Sequence, residues 1–355
     1  MSRAKRVVAI PGEDAAEEAF TATMSLLDGL SLDIDWTYPP VGARAIQTHG
    51  EPFPAEAIAA IDDSDAALFG ATSGPSASAL FYLRWGRETF ANVRPTRFAA
   101  GFETPLARPE GIDLAIVREN LEDLYVASEG AVEDLAPLAL QSLTWQRPVA
   151  DLGPGAYALK VITERGCERV ARFAFELARR RKAEGRIGKV TCATKYNMLP
   201  RTDGLFRDVA QRVGGENRDI EFEVLIVDDF AHRLVRRPQQ FDVVLLPNLY
   251  GDILSDAAAA LAGGLGLAAS GCYGSDYAYF EPVHGTAPDL EPQQVNPTAT
   301  ILSAAMMLEY LGFGEAARAL QTAVERVYAR GGPLTADQGG SASTDQFREA
   351  VVAEL

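Results

Sequence analysis

Short apolar runs, stopped by glycine, proline or asparagine and followed by stretches of helical periodicity, recur along this chain. Residues 7–10 form one such run ahead of Pro11-Gly12 and a helix over about residues 15–27. Residues 34–38 and 66–69 read as further strands, with 56–61 helical between them. Strand followed by helix is the pattern of an α/β sheet. The same reading gives strands at 114–117, 190–194 and 222–227, and helices at 163–183, 203–212, 299–311 and 315–329. Between 126 and 159 the alternation is broken repeatedly by proline and glycine, which predicts an excursion of strands or a hairpin suited to a subunit contact. Residues 70–80 (GATSGPSASAL) and 277–297 (YAYFEPVHGTAPDLEPQQVNP) carry many small, polar, glycine and proline positions and read as loops with room for a ligand. No repeat or low-complexity linker is visible, so two domains are expected to exchange chain rather than follow in series.

Residues 241–256, FDVVLLPNLYGDILSD, organise the rest of the reading. Phe241 to Leu246 is apolar and partly β-branched, as expected of a strand covered on both faces. Pro247-Asn248 stops it, Gly251 is read as a tight turn, and Asp252 opens an alanine-rich helix. Asp252 and Asp256 then share one helix face at i and i+4. Beyond the carboxyl end of a sheet strand such a pair can hold one cation. It suits a helix cap and a solvated first turn equally well.

Composition narrows the setting. A chain of 355 residues exceeds one ordinary core, and 47% hydrophobic residues supply ample material for two domains or one large α/β unit. A formal net charge of -16 argues against nucleic acid as a partner, because unspecific backbone binding needs clustered Lys and Arg. Cys167, Cys192 and Cys272 form no CxxC, so neither a disulfide framework nor a zinc knuckle is expected, and a reducing cytoplasm fits. With only His49, His232 and His284 as imidazoles, a metal would be held by oxygen, which favours Mg²⁺ or Mn²⁺. The N-terminal apolar run is too short for a signal peptide and residues 257–269 fall well below membrane-spanning length, so a soluble protein without a membrane partner is expected.

Several positions then stand out chemically. Arg84 and Arg94 in ALFYLRWGRETFANVRP and Arg118 in DLAIVRENLEDLY lie near strand and helix ends. Planar guanidinium forks match carboxylates bidentately, so three together can hold a di-acid, although each alone is an ordinary surface residue. Tyr125 is a possible proton donor or an interface residue. Lys195 closes the strand at 190–194, where a lysine is either desolvated for proton transfer or simply solvated. Asp228-Asp229 closes the strand at 222–227 in the same way. His284 before Gly285 offers a ring to pack or to hydrogen-bond, and Met306 and Met307 read as core.

Six motifs, in order and covering most of the chain, make the sequence resemble the metal-dependent β-decarboxylating dehydrogenases. They are YLRWGRETFANVRP, IVRENLEDLY, TKYNMLPRTDGLF, NLYGDILSD, EPVHGTAPD with VNPTATILSAAMML, and DQGGSAST. That family includes 3-isopropylmalate, isocitrate, homoisocitrate and tartrate or D-malate dehydrogenases, and the pattern here is most similar to an isopropylmalate enzyme. The resemblance implies an α/β, isopropylmalate dehydrogenase-like fold with a large central sheet flanked by helices and domains interleaved in sequence. Residues 1–98 with 259–355 would form the large cofactor-binding domain, and 99–258 the small domain with the dimer interface and the excursion near 126–159. It further implies that Arg84, Arg94 and Arg118 clamp the malate carboxylates, with Ser78, Leu80, Phe81 and Asn197 completing the substrate pocket. Asp252 and Asp256 would ligate the metal together with Asp228 from the neighbouring subunit of a homodimer. Lys195, also reaching across, would assist removal of the hydroxyl proton, and Tyr125 would protonate the enolate after CO2 leaves. His284, Gly285, Thr286, Ala287, Pro288 and Asp289, with Asn296, resemble the adenosine-binding loop. An acid at Asp289 near the ribose 2′-hydroxyl favours NAD over NADP.

The chain also departs from the family pattern. Where GDGIGPE usually follows the first strand, it reads GEDAAEE from Gly12 to Glu18. Isocitrate enzymes place an asparagine where Leu80 stands, homoisocitrate enzymes can place an arginine at Phe81, and isopropylmalate enzymes an acid at Ala77. Burying an uncompensated carboxylate against Leu80 and Phe81 is costly, so a malate with an apolar 3-substituent is the first expectation. Isocitrate, homoisocitrate, tartrate or D-malate are the alternatives within the family. Outside that activity stand a non-catalytic regulatory subunit, which would have lost active-site groups, and a Mg²⁺-dependent hydrolase, which would not need the arginines or Asp289.

Overall fold

The computed structural model describes residues 3–355. Met1 and Ser2, the start of the segment read as too short for a leader, lie outside the described residues. The first strands are β1 (Lys5–Ile10), β2 (Ile34–Thr37), β3 (Ala66–Phe69), β4 (Ala91–Arg97) and β5 (Asp113–Glu119). The excursion carries β6 (Glu129–Ala131), β7 (Gln141–Ser142), β8 (Arg147–Pro148) and β9 (Ala156–Ala158), paired as two small antiparallel ribbons. Then follow β10 (Lys189–Thr194), β11 (Glu221–Ile226), β12 (Val243–Leu246), β13 (Ala269–Tyr273) and β14 (Ala278–Pro282). The helices in the first half are α1 (Ala15–Gly29), α2 (Ala43–His49), α3 (Ala55–Asp62), the single turn α4 (Ala77–Phe81) and α5 (Glu164–Ala183). Those in the second half are α6 (Thr202–Glu216), α7 (Val227–Arg236), α8 (Asn248–Leu261), α9 (Thr298–Leu311), α10 (Gly314–Ala329) and α11 (Thr344–Val352).

A ten-stranded sheet runs in the order β11-β10-β12-β5-β4-β13-β14-β3-β1-β2. Strands β3 and β12 are buried at every residue, which is why their sequences are apolar throughout rather than alternating. Strands pair in parallel on either side of the middle, and β4 and β13 join the two sides through antiparallel ladders. Helices cover both faces. Val7, Phe20, Leu68, Ile301, Leu320 and Phe347 form one core from the two ends of the chain. The middle of the chain builds separate cores on the two faces of its strands, Val117, Phe175, Val190 and Val243 on one, Ile116, Phe230, Val244 and Leu246 on the other. Fully burying each such side chain contributes roughly 1.5–3 kcal/mol.

Three local readings are corrected. Residues 278–282 belong to strand β14 rather than to a loop, because they pair with β13 on one side and β3 on the other. The helix carrying Asp252 starts at Asn248, so Gly251 is helical and not a turn, and Asp252 sits beyond the first residues of the helix rather than at its cap. Asp228 and Asp229 lie in the first turn of α7 rather than at the end of the preceding strand. Two strands were also illegible from pattern. β13 is built of small residues, and β4 contains Pro95, which lacks the N–H that a central strand needs. Pro95 is tolerated because β13 pairs only with Ala91, Asn92 and Val93, leaving the rest of that edge of β4 free. No helix among the described residues is long and apolar enough to cross a membrane.

Candidate active site

The site forms where β4, β5 and α8 meet. A Cβ added at Gly251 would lie 2.7 Å from the Cβ of Arg118, so glycine is what lets α8 press onto β5 at this point. That approach puts Asp252 against the guanidinium groups of Arg118 and Arg94, which arrive from neighbouring antiparallel strands. Arg118 is only 2% exposed; its Nε donates to Asn248 Oδ1 at 2.8 Å and its Nη1 to Asp252 Oδ1. Arg94 donates through Nη1 to Ser255 Oγ at 2.7 Å and Asp256 Oδ1 at 3.0 Å, through Nε to Asn92 Oδ1 at 3.1 Å, and its Nη2 lies 3.2 Å from Asp252 Oδ1. Tyr125 donates its hydroxyl to Asp252 Oδ2 at 2.5 Å, with the Arg118 guanidinium 5.1 Å from its ring centre. Arg84 approaches from the helical turn after α4, its Nε 3.4 Å from the Tyr279 hydroxyl and its Nη2 3.7 Å from Glu281.

Burial and mutual charge set the protonation behaviour of this nest. Burial and the adjacent Arg94 pull Arg118 down to about 10, partly offset by Asp252. Burial raises Asp252, but Arg118, the Tyr125 hydroxyl and Arg94 outweigh it and hold the carboxyl below its ordinary value. Asp256 is pushed up, by burial first, with Arg94 opposing and Asp252 adding to the rise. Tyr125 is raised by burial and by its hydrogen bond to Asp252.

Lys195 and Asp228 stand apart from the nest. Lys195 Nζ donates to Asp228 Oδ1 at 2.5 Å, and Asp228 is 68% exposed. Asn197 lies in the exposed turn just after Lys195. Among the described residues no three His, Cys, Asp or Glu side chains converge as a metal-holding group. The chain therefore gathers Asp252 and Asp256 but not Asp228. Two carboxylates on one helix face, with oxygen donors only, fit half the coordination of a hard divalent cation. Several large apolar residues are open to solvent. Ile253 on α8, Val235 on α7 and Met198 beside Asn197 are all exposed, as are Leu143 and Trp145 in the excursion.

The loop from His284 to Asp289 follows β14 directly. His284 Nδ1 contacts its neighbour Gly285 O at 2.8 Å, while its Nε2 is buried without a partner, and burial lowers its pKa. An orphaned ring nitrogen of this kind fits a loop that receives a polar ligand. Ala287 takes a positive φ of 50°, Thr286 Oγ1 meets Ser73 Oγ at 2.8 Å, and Gly285, Pro288 and Asp289 are exposed. Asn296 is spent internally, donating to the Tyr328 hydroxyl at 3.1 Å and Asp337 at 3.0 Å and accepting from Thr298 N. The Ser73 contact joins this loop to the segment that departs from the family pattern. Glu13 accepts from Thr72 Oγ1 at 2.6 Å, from Ser73 N and Gly74 N at 3.1 Å, and from Ser76 N at 2.7 Å. Gly12, at φ 83°, packs so close to Ala71 O that a Cβ would sit 2.4 Å from it. The altered sequence thus still builds a laced turn.

On α4, Ser78 is partly buried and Leu80 packs partly against the core around Val8 and Ile61, whereas Phe81 is 56% exposed. Phe81 stacks edge-on against Trp85 with centroids 5.5 Å apart, in the π-helical turn that follows α4. Trp85 also carries the Arg84 guanidinium 5.4 Å from its ring centre and donates Nε1 to Leu121 O at 3.2 Å. Trp85, Glu281, Asn92, Asn248 and Ser255 were missed as parts of the site. The i to i+4 spacing of Phe81 and Trp85 was the one available signal; the others become partners only through strand pairing.

Comparison with known proteins is consistent along the whole chain. The sequence profile of the isocitrate/isopropylmalate dehydrogenase family matches residues 6–351. The 3-isopropylmalate/3-methylmalate dehydrogenase of Methanocaldococcus jannaschii is 41% identical over 98% of this chain and 97% of its own length. The isocitrate/homoisocitrate dehydrogenase of Thermus thermophilus is also 41% identical, over 99% of both chains. The crystal structure of isocitrate dehydrogenase from Methylococcus capsulatus superimposes with a TM-score of 0.85 at 33% identity, covering 99% of each chain.

Proposed function

This chain belongs to the isocitrate/isopropylmalate dehydrogenase family and is an oxidative decarboxylating dehydrogenase, and on that premise we propose its substrate, cofactors and residue roles. The reaction is NAD-dependent oxidative decarboxylation of a (2R)-malate bearing an apolar 3-substituent, to a 2-oxo acid and CO2, with Mg²⁺ or Mn²⁺. The observation that carries this reading is the nest in which Arg94 and Arg118 both grip the Asp252 carboxylate while Tyr125 donates to the same group. Converging guanidinium forks are the donors best matched to carboxylates, and those left over by Asp252 and Asp256 suit the carboxylates of a substrate. Arg84, Arg94 and Arg118 bind and orient those carboxylates. Asp252 and Asp256 hold the cation with Asp228 of a second copy. When bound, nicotinamide supplies hydride acceptance and the divalent cation supplies Lewis-acid polarisation of the substrate oxygen.

Lys195 assists removal of the hydroxyl proton from the C2 oxygen in the partner's site, accepting it only as the neutral amine, once it has left the Asp228 carboxylate and given up the proton with which it donates there. Tyr125 delivers its proton to the carbon that CO2 leaves. A site shared by two copies is supported by the distance of Lys195 and Asp228 from the nest within one chain, where they pair with each other and not with Asp252 or Asp256. The adenosine of NAD lies on the loop from His284 to Asp289, where Asp289 accepts from the ribose hydroxyls and would repel a 2′-phosphate. Phe81 and Trp85 offer the open apolar surface for the 3-substituent. A third carboxylate, as in isocitrate, would have to desolvate against them. The test is a panel of 3-isopropylmalate, 3-methylmalate, isocitrate, homoisocitrate, tartrate and D-malate with NAD or NADP and Mn²⁺, followed by NADH absorbance. The highest kcat/KM is expected for an alkyl-substituted malate with NAD. Isocitrate in first place would overturn the pocket assignment, and no turnover of any member would overturn the activity.

A further inference from the structure

Lys160 lies just after the excursion and before α5, outside every motif that carries the family likeness. Its ammonium is 2.8 Å from Asp203 Oδ2 and 3.3 Å from Asp123 Oδ1, and 4.6 Å from the centre of the Tyr250 ring. Both carboxylates are fully buried. Removing the ammonium would strand two charges away from water.

Each carboxylate holds a different piece of the machinery. Asp123 accepts from Leu124 N at 2.9 Å and from Leu249 N at 3.1 Å, fixing the segment that presents Tyr125 to the start of α8. It does so from a backbone φ of 71°, a conformation that a non-glycine residue keeps only where its surroundings impose it. Asp203 accepts Lys195 N at 2.9 Å through its other oxygen, while its carbonyl receives Thr194 Oγ1 at 3.2 Å, fixing the strand end that presents Lys195. The backbone beside Lys160 is tied in as well, Asp123 N donating to Val161 O at 2.8 Å.

We infer that Lys160 is a positioning residue that braces, through Asp123 and Asp203 together, the Tyr125 segment and the Lys195 strand end. This rests on the reading of Tyr125 and Lys195 as proton-handling groups of a site shared by two copies. One partly buried ammonium then serves both active sites of a dimer, Tyr125 in its own and Lys195 in the partner's.

The test uses full-length dimers, with the best substrate of the panel and NAD. Lys160→Met is expected to lower kcat at least tenfold with KM changed less than threefold, and Lys160→Arg to recover much of the loss. An unchanged kcat in a folded Lys160→Met enzyme, or a fall confined to thermal stability, overturns the inference. Hybrid dimers separate the two braces. Wild type paired with Lys160→Met is expected to keep well under half of wild-type activity, because both sites are impaired. Wild type paired with Asp203→Asn keeps about half, because only the Lys195 side is touched; if Lys160→Met does not fold, Lys160→Gln takes its place with the same expected outcomes. Half activity in the Lys160→Met hybrid, or less than a quarter in the Asp203→Asn hybrid, overturns the assignment of two separate braces. A hybrid of Tyr125→Phe with Lys195→Met checks the underlying reading by itself. Recovery of about half the activity supports shared sites, and an inactive hybrid removes that reading whatever Lys160 does.

Discussion

The Arg94, Arg118 and Asp252 nest and the Lys195–Asp228 pair are both salt bridges that link the sheet to a helix, yet they differ in burial and in number of partners. The two guanidinium groups of the nest are buried and each donates several hydrogen bonds around the half-buried Asp252, and Arg118 packs against a glycine where a Cβ would clash. The pair is open to solvent, and each charge is satisfied chiefly by the other. Buried ion pairs are costly to break, whereas exposed ones contribute about 0–1 kcal/mol. The nest therefore couples function to folding, and the pair is free to change partners.

The largest effect is expected from Arg118→Met. It leaves the half-buried Asp252 without its closest cation, and a loss on the order of 4 kcal/mol in transition-state binding, about 10³-fold in kcat/KM, should come with a lower unfolding temperature. Asp228→Asn should cost about 10²-fold in kcat/KM while leaving the unfolding temperature within about 1 °C, because an exposed pair contributes little to stability. A large stability loss there would erase the contrast between the regions. Gly251→Ala, forced against Arg118, should destabilise by about 2 kcal/mol in denaturant titration. Asp289→Lys should weaken NAD use about tenfold in kcat/KM and narrow the preference over NADP; unchanged NAD kinetics would sink the ribose assignment.

The smallest effect concerns pH. Glu119, next to Arg118 and almost fully buried, is pushed by burial from 4.5 up to about 7, against the backbone N–H groups of Glu122 and Leu121 that it accepts. A carboxyl with a raised folded-state value binds its proton more firmly when folded. Its contribution to stability is then fully present below the unfolded value and is lost as pH rises through about 7. Between these limits Glu119→Gln should flatten the decline of folding free energy with pH in denaturant titrations at successive pH values. A parallel pH dependence in the variant would show that Glu119 does not titrate in this range.

Much of the architecture was legible because local pattern and final burial agree. The runs at Val7, Ala66 and Val243 are apolar because their strands are covered on both faces, and the periodic stretches became α1, α5, α9 and α10. β4 and β13 were hidden because arginine, proline and small residues carry no strand signal, and only pairing with neighbours far along the chain makes strands of them. The start of α8 was displaced for a related reason. Gly251 resembles a turn residue until Arg118 is packed against it.

The order of residue types along the chain determined the α/β class, the family, and the two aspartates on one helical face, because these depend on spacings of a few residues. Tertiary structure alone decided that Asp252 is shared by Arg94, Arg118 and Tyr125, that Glu281 supports Arg84, and that Lys160 joins Asp123 to Asp203. These partners lie tens to hundreds of residues apart. Bringing them within hydrogen-bond reach depends on strand order and helix packing, which no local spacing encodes.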